Sequence, residues 1–143
     1  MEIQFKYAAI RTDQFATFDR PCLSIADNYA LNGEVQTGNN YDARSIMISV
    51  SSNLRIGGNL AMTIKVSSFF EIEEHSWDSM KKDGFVIIPK EFLYHIGGLA
   101  VSTTRGILFA KTEGTDINRI ILPIIYMDKV IKGDMKIPIP EII

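Results

Sequence analysis

A chain of 143 residues, 46% hydrophobic and 22% charged, has the length of one domain and the composition of a globular one. A domain of that size buries roughly 68–70% of its unfolded surface, enough for a core without staples. Fifteen basic against seventeen acidic residues leave a net charge of −2 with no basic stripe beyond Lys81-Lys82, which excludes the usual signature of a nucleic-acid partner. The single cysteine, Cys22, allows no intrachain disulfide. The N-terminus lacks the basic flank of an export signal and no stretch approaches the roughly 18 apolar residues of a membrane helix, so a soluble, cytoplasmic protein without membrane insertion is expected.

In chain order, Ile3, Phe5, Tyr7 and Ala9 alternate with polar neighbours and predict a half-buried strand over Glu2 to Ala9, placed as an edge or subunit-contact strand. From Arg11 to Asn28 the alternation stops. Phe15, Phe18, Leu23 and Ile25 are spaced irregularly around Asp19-Arg20-Pro21, which reads as an apolar loop whose rings either pack on the core or line a binding surface. Tyr29 to Gln36 alternates again and ends in Gly38-Asn39-Asn40, a hairpin signal. Arg44 to Ile56 is a third strand and Gly57-Gly58-Asn59 turns it back. The fourth and longest strand is Leu60 to Glu73, with Leu60, Met62, Ile64, Val66, Phe70 and Ile72 on one face. Only Phe69, on the wetter face, breaks its pattern, and a large ring there calls for a partner.

Glu73 to Gly84 is polar apart from Trp77 and reads as one helical turn or a loop, followed by a short apolar run from Phe85 to Ile88. Pro89 and Glu91 then start the one long helix, Lys90 to about Lys111, whose apolar stripe includes Phe92, Ile96, Leu99, Ala100, Thr103, Ile107 and Ala110. Gly97, Gly98, Ala100, Ser102, Thr104 and Gly106 make this helix rich in small residues. Each interior glycine costs about 0.8–1 kcal/mol relative to alanine, so close approach of another backbone is the expected compensation, with Gly97, Gly98, Ala100, Thr104 and Arg105 assigned to a subunit contact. Glu113 to Asp116 ends the helix, Ile120 to Met127 is extended around Pro123, Asp128 to Lys132 has room for one helical turn, and Pro138 and Pro140 exclude a helix from the tail.

The chain carries no phosphate-cradling glycine motif and no zinc-ligand spacing, so no cofactor, metal or catalytic residue is expected. Glu71, Glu73 and His75 share one face if the strand continues through them, where they could hold a metal or do acid–base work, although carboxylates at the wet end of a strand are ordinarily just solvated. His95 reads as a structural residue. Arg105 is either solvated or an anchor for a carboxylate across an interface.

The helix ending Thr103-Thr104-Arg105-Gly106, followed after a spacer by Leu122-Pro123-Ile124-Ile125-Tyr126-Met127-Asp128-Lys129-Val130-Ile131, resembles the SecB export-chaperone family, and Phe70-Glu71-Ile72 resembles the end of that family's fourth strand. The resemblance implies an α+β fold, a four-stranded antiparallel sheet with one long helix on one face, assembled as a homotetramer that is a dimer of dimers. It also implies unfolded or precursor polypeptides as partners, bound in apolar grooves. On this chain Phe15, Phe18, Leu23, Ile25, Tyr126 and Val130 take the client-binding positions. The family's second helix is cut here to about one turn. Thr63 and Lys65 stand where acidic residues would engage the SecA motor, so the likeness favours the fold over SecA-coupled export.

The leading expectation is therefore a non-enzymatic holdase, for unfolded clients or as a toxin–antitoxin chaperone of the same family. The alternative is a small-molecule-binding protein or enzyme on the same helix-on-sheet core.

Overall fold

The computed structural model describes residues 2–18, 29–120 and 122–141. Its centre is the antiparallel pair β4 (Ser45–Ile56) and β5 (Asn59–Ile72). The two are joined through Gly57 and Gly58, whose φ values of 58° and 83° suit the tight hairpin turn that matches strand twist. Strict alternation sends Met62, Ile64, Val66, Phe70 and Ile72 of β5 to the same face as Ile46, Ile48, Val50 and Leu54 of β4, all at 2% exposure or less. Cross-strand pairs such as Ile46 with Phe70 and Val50 with Val66 fix the register.

β1 (Phe5–Thr17) pairs with the other side of β5 and runs eight residues beyond Ala9, where its alternation ends. The register shifts between Tyr7 and Ala9 and again between Thr12 and Gln14, so single extra residues, Ala8 and Asp13, bulge out of the ladder. Each bulge moves the inward set by one position, which hides the strand from a period-two reading. Phe15 lies opposite Ile64 in this strand and not in a loop.

Along the far side of β4 the sheet has two strands where one was expected, giving five in all: β2 (Tyr29–Leu31) and β3 (Glu34–Asn40). The break falls at Asn32-Gly33. Asn32 stays attached to β4 across it, donating its N–H to Asn53 O at 3.1 Å and accepting Asn53 N–H on its side chain at 2.7 Å. Gly33 is bare because Ile125 presses on it: a Cβ there would meet Ile125 Cδ1 at 2.9 Å.

After β5 comes α1 (Glu74–Ser79), then the hairpin β6 (Lys81–Lys82) to β7 (Phe85–Ile88), turning on Asp83 and Gly84 with φ 52° and 82°. α2 (Lys90–Lys111) has the predicted bounds and lies over β4 and β5, burying Leu93, Ile96, Gly97, Ala100, Val101, Thr104 and Leu108. Full burial of each such Leu, Ile or Val is worth about 1.5–3 kcal/mol. Pro89 caps α2 from outside the helix, and the Lys90 N–H donates to Asp134 Oδ1 at 2.9 Å, from 44 residues further along the chain. A 3₁₀ turn (Asp116–Arg119), an extended crossing, the single turn α3 (Met127–Val130) and β8 (Met135–Pro138) follow. β8 pairs with β7, so β6, β7 and β8 form a second small sheet that periodicity did not announce.

The core divides in two along α2. Ile46, Ile48, Val50, Phe70, Trp77, Ile88, Leu93 and Ile96 belong to one cluster, and Leu54, Met62, Ile64, Leu108, Ile117 and Leu122 to the other. Between sheet and helix a polar chain is fully paired: the Tyr7 hydroxyl bonds with the Ser68 hydroxyl and donates to Thr103 Oγ1 at 2.8 Å, and Thr103 donates to Leu99 O at 2.9 Å.

Candidate polypeptide-binding surface

The expected client-binding residues lie at two margins of the sheet. At the β1 margin Phe15 is half-buried, with Lys111 Nζ 5.4 Å from its ring centre. Phe18 is 45% exposed and is held by its N–H donating to Ala61 O at 2.9 Å. Leu23 and Ile25 fall outside the described residues. At the opposite margin, beyond β3, Tyr126 and Val130 are 59% and 40% exposed, at the start and end of α3. β1 and β2/β3 are the two edges of the sheet, so among the described residues one chain does not bring Phe15 and Phe18 into a single groove with Tyr126 and Val130.

Val130 lines a cavity of about 230 Å³ together with Val35 and Thr37 of β3, Leu93 of α2, Ile131 and Met135. Val130 is the α3 residue in its lining, and α3 is held in place where Met127 packs directly on the backbone of α2; a Cβ at Gly97 would sit 2.5 Å from its sulfur. The Tyr94 hydroxyl reaches Ile131 O at 3.5 Å. Four large apolar residues that the sequence did not single out are exposed: Ile124 at 73%, Phe109 at 57%, Ile10 at 52% and Tyr29 at 48%. Ile124 was hidden because Leu122 to Tyr126 is apolar throughout; only the press of Ile125 onto Gly33 decides which residues turn out.

The residues assigned to subunit contact divide by face. Gly97, Ala100 and Thr104 are buried within the chain, the Thr104 hydroxyl donating to Ala100 O at 2.8 Å. Gly98 is exposed with nothing within 4 Å of a Cβ built on it. Arg105 is half-buried and reaches the Pro123 carbonyl of its own chain at 3.5 Å.

The open face of the sheet answers for Phe69. The ring is half-buried beneath the Arg11 guanidinium, 5.1 Å from its centre. Arg11 also pairs with Asp13 in the second bulge, and Asp13 accepts from the Ser67 hydroxyl, which is bonded in turn to Ser49 at 2.7 Å. The Ser67 hydroxyl first, and then Arg11, hold the Asp13 carboxyl below its ordinary range.

The shared face for Glu71, Glu73 and His75 does not form, because β5 ends at Ile72 and α1 begins at Glu74. Glu73 instead caps α1, accepting from the N–H groups of His75 and Ser76 at 2.8 and 2.9 Å; the His75 bond leads in lowering its pKa. Glu71 sits between Lys6 at 3.7 Å and Arg44 at 3.9 Å. They line an open cavity of about 480 Å³ with Gln4, Phe5 and Glu74. Among the described residues no cluster of His, Cys, Asp or Glu has the makings of a metal site, and no helix is long and apolar enough to cross a membrane. His95 is exposed beside the Phe5 ring, 5.9 Å away and edge-on.

An antiparallel sheet with one long helix across its face and a short helix after a Leu-Pro crossing defines a SecB-like α+β fold. A solved SecB-like chaperone of Mycobacterium tuberculosis, in complex with a ChAD peptide from the HigA1 antitoxin, has this fold, with a TM-score of 0.55 over 85% of this chain and 90% of that one at 14% sequence identity. No family model and no curated protein sequence matches the chain.

Proposed function

We propose that the protein is a non-enzymatic holdase that shields apolar segments of other polypeptides. The observation that carries this reading is the SecB-like fold combined with large apolar side chains left in water at both margins of its sheet, Phe18 on one side and Tyr126, Ile124 and Val130 on the other. Isolated exposed apolar residues need no explanation, but Ile124, Tyr126 and Val130 gathered within seven residues, beside a cavity of mixed lining, support a binding surface there. The similar mycobacterial chaperone was solved with an antitoxin peptide, which supports polypeptide as the ligand class and keeps a dedicated antitoxin client beside general unfolded clients. Assembly as a homotetramer in the cytoplasm completes the proposal. It joins surfaces from neighbouring chains that one chain holds apart. SecA is not required, since Thr63 is buried and bonded to Asn53 while Lys65 occupies the same face.

The test is aggregation of a chemically denatured enzyme followed by light scattering, without ATP. The wild type suppresses scattering at stoichiometric ratios and does not bind the native enzyme. Phe18→Ser and Tyr126→Ser, both at exposed positions where substitutions shift stability by about 0.5 kcal/mol or less, weaken suppression with unchanged circular dichroism. Absence of suppression by the wild type rejects the reading. The open cavity around Glu71 and Arg44 then becomes the place to seek a small polar ligand.

A further inference from the structure

The α3 margin carries cations beside its apolar side chains. Tyr126 stands at the start of the turn, with Lys129 and Val130 three and four residues on, and the turn is closed by the Lys129 N–H donating to Tyr126 O at 3.0 Å. That spacing puts the ammonium on the side of α3 that holds the two exposed apolar residues. Beyond Val130, Lys132 lines the same cavity as Val130, Val35, Thr37 and Met135. Among the described residues neither Lys129 nor Lys132 has an ion-pair partner. Cations near the other apolar surfaces are committed: Lys111 lies over the Phe15 ring, Arg11 pairs with Asp13 over Phe69, and Lys6 and Arg44 share Glu71. From Asp128 to Lys136 three lysines (Lys129, Lys132, Lys136) stand against two aspartates (Asp128, Asp134), a local charge of +1 in a chain whose net charge is −2. Asp134 is already engaged by the Lys90 N–H at the α2 N-terminus, where the helix dipole offsets its charge.

We propose that the α3 margin selects clients by charge: it takes an apolar segment flanked by aspartates or glutamates, the apolar side chains against Ile124, Tyr126 and Val130 and the carboxylates against Lys129 and Lys132. The proposal rests on the polypeptide-binding reading and adds to it the chemical class of the client. Apolar contact alone accepts any sufficiently hydrophobic segment, whereas the two ammonium groups draw in an acidic segment and repel a basic one. Both lysines are exposed, so each pair contributes little by itself and is screened by salt. The selectivity is therefore modest, shared between two cations, and separable from apolar binding by ionic strength.

Three capped peptides carrying a neutral dye test this, sharing the core Leu-Val-Phe-Ala-Leu and flanked at both ends by pairs of aspartate, serine or lysine. Fluorescence anisotropy gives their affinities. At about 20 mM salt the aspartate-flanked peptide is expected to bind about fivefold more tightly than the serine-flanked one and the lysine-flanked one more weakly than both, the spread collapsing at about 0.5 M. Lys129→Glu together with Lys132→Glu, at exposed positions where the fold is retained, is expected to reverse the order, while Tyr126→Ser weakens all three alike. Equal affinities at low salt, or an aspartate preference that survives the double substitution, overturn the inference and leave polypeptide binding intact. So does a wild type that binds none of the peptides yet suppresses aggregation of a denatured enzyme. If suppression fails as well, the holdase reading falls and the charge selection with it.

Discussion

Asp13 shows how one side chain can hold an irregular strand in place. It is the extra residue of the second β1 bulge, and its carboxylate ties that bulge to Ser67 of β5 and to Arg11, which in turn covers Phe69. Its folded pKa is depressed, so its contribution is present above the unfolded value, near 3.8, and is lost as the pH falls through the folded value. Asp13→Asn is expected to lower stability by about 1 kcal/mol at neutral pH, since asparagine still accepts a hydrogen bond. The gap from wild type closes as the pH drops below about 4, which urea unfolding across that range measures. A gap that persists at pH 2 assigns the effect to shape and not to charge. The place of the Phe69 ring on the open face was legible in the sequence, but its partner was not, because Arg11 reaches it only through a strand whose register the bulges conceal.

At the scale of elements, α2, β4 and β5 were legible because each buries one face over many residues, giving an uninterrupted period. Three parts of the chain broke that condition. β1 shifts its inward set twice, β2 and β3 are one pattern cut at Asn32-Gly33 by Ile125, and the β6–β7 hairpin is too short for any period. The hairpin had a usable signal in Asp83-Gly84, a pair suited to positive φ at both positions. The adjacent glycines of α2 now part company. Gly97→Ala forces Met127 off the helix and is expected to destabilise by about 1–3 kcal/mol, overpacking outweighing the gain in propensity. Gly98→Ala meets nothing within 4 Å and is expected to stabilise by up to about 1 kcal/mol. Thermal unfolding of the two variants gives the signs. Asp134→Ala removes the distant cap of α2 and is expected to cost about 0.5–2 kcal/mol, with amide exchange of Met135, Lys136 and Ile137 accelerating before that of β4; uniform acceleration of both indicates global unfolding instead.

For the whole molecule, the question is what covers the outer face of α2. Glu91, His95, Gly98, Ser102, Gly106 and Phe109 recur there at three and four residues, all exposed, with Arg105 at the margin. Exposed glycine inside a 22-residue helix lowers its stability, and within this chain only Gly97 is repaid, by Met127. We propose that assembly through the Gly98 face supplies the missing compensation, because small residues let a second helix approach closely. Light scattering is expected to give about four times the 16.1 kDa chain mass at micromolar concentration. Gly98→Leu has room within the chain, so it is expected to dissociate the assembly while the separated chains keep their secondary structure. Phe109→Ser, 57% exposed near the helix end, does the same more weakly if the contact runs the length of α2. If Gly98→Leu keeps the wild-type mass, the helices do not meet at this face, and the β1 edge of the sheet, interrupted by its bulges at Ala8 and Asp13, becomes the contact to examine. A monomeric wild type rejects assembly altogether and leaves the two apolar margins of the sheet as separate sites.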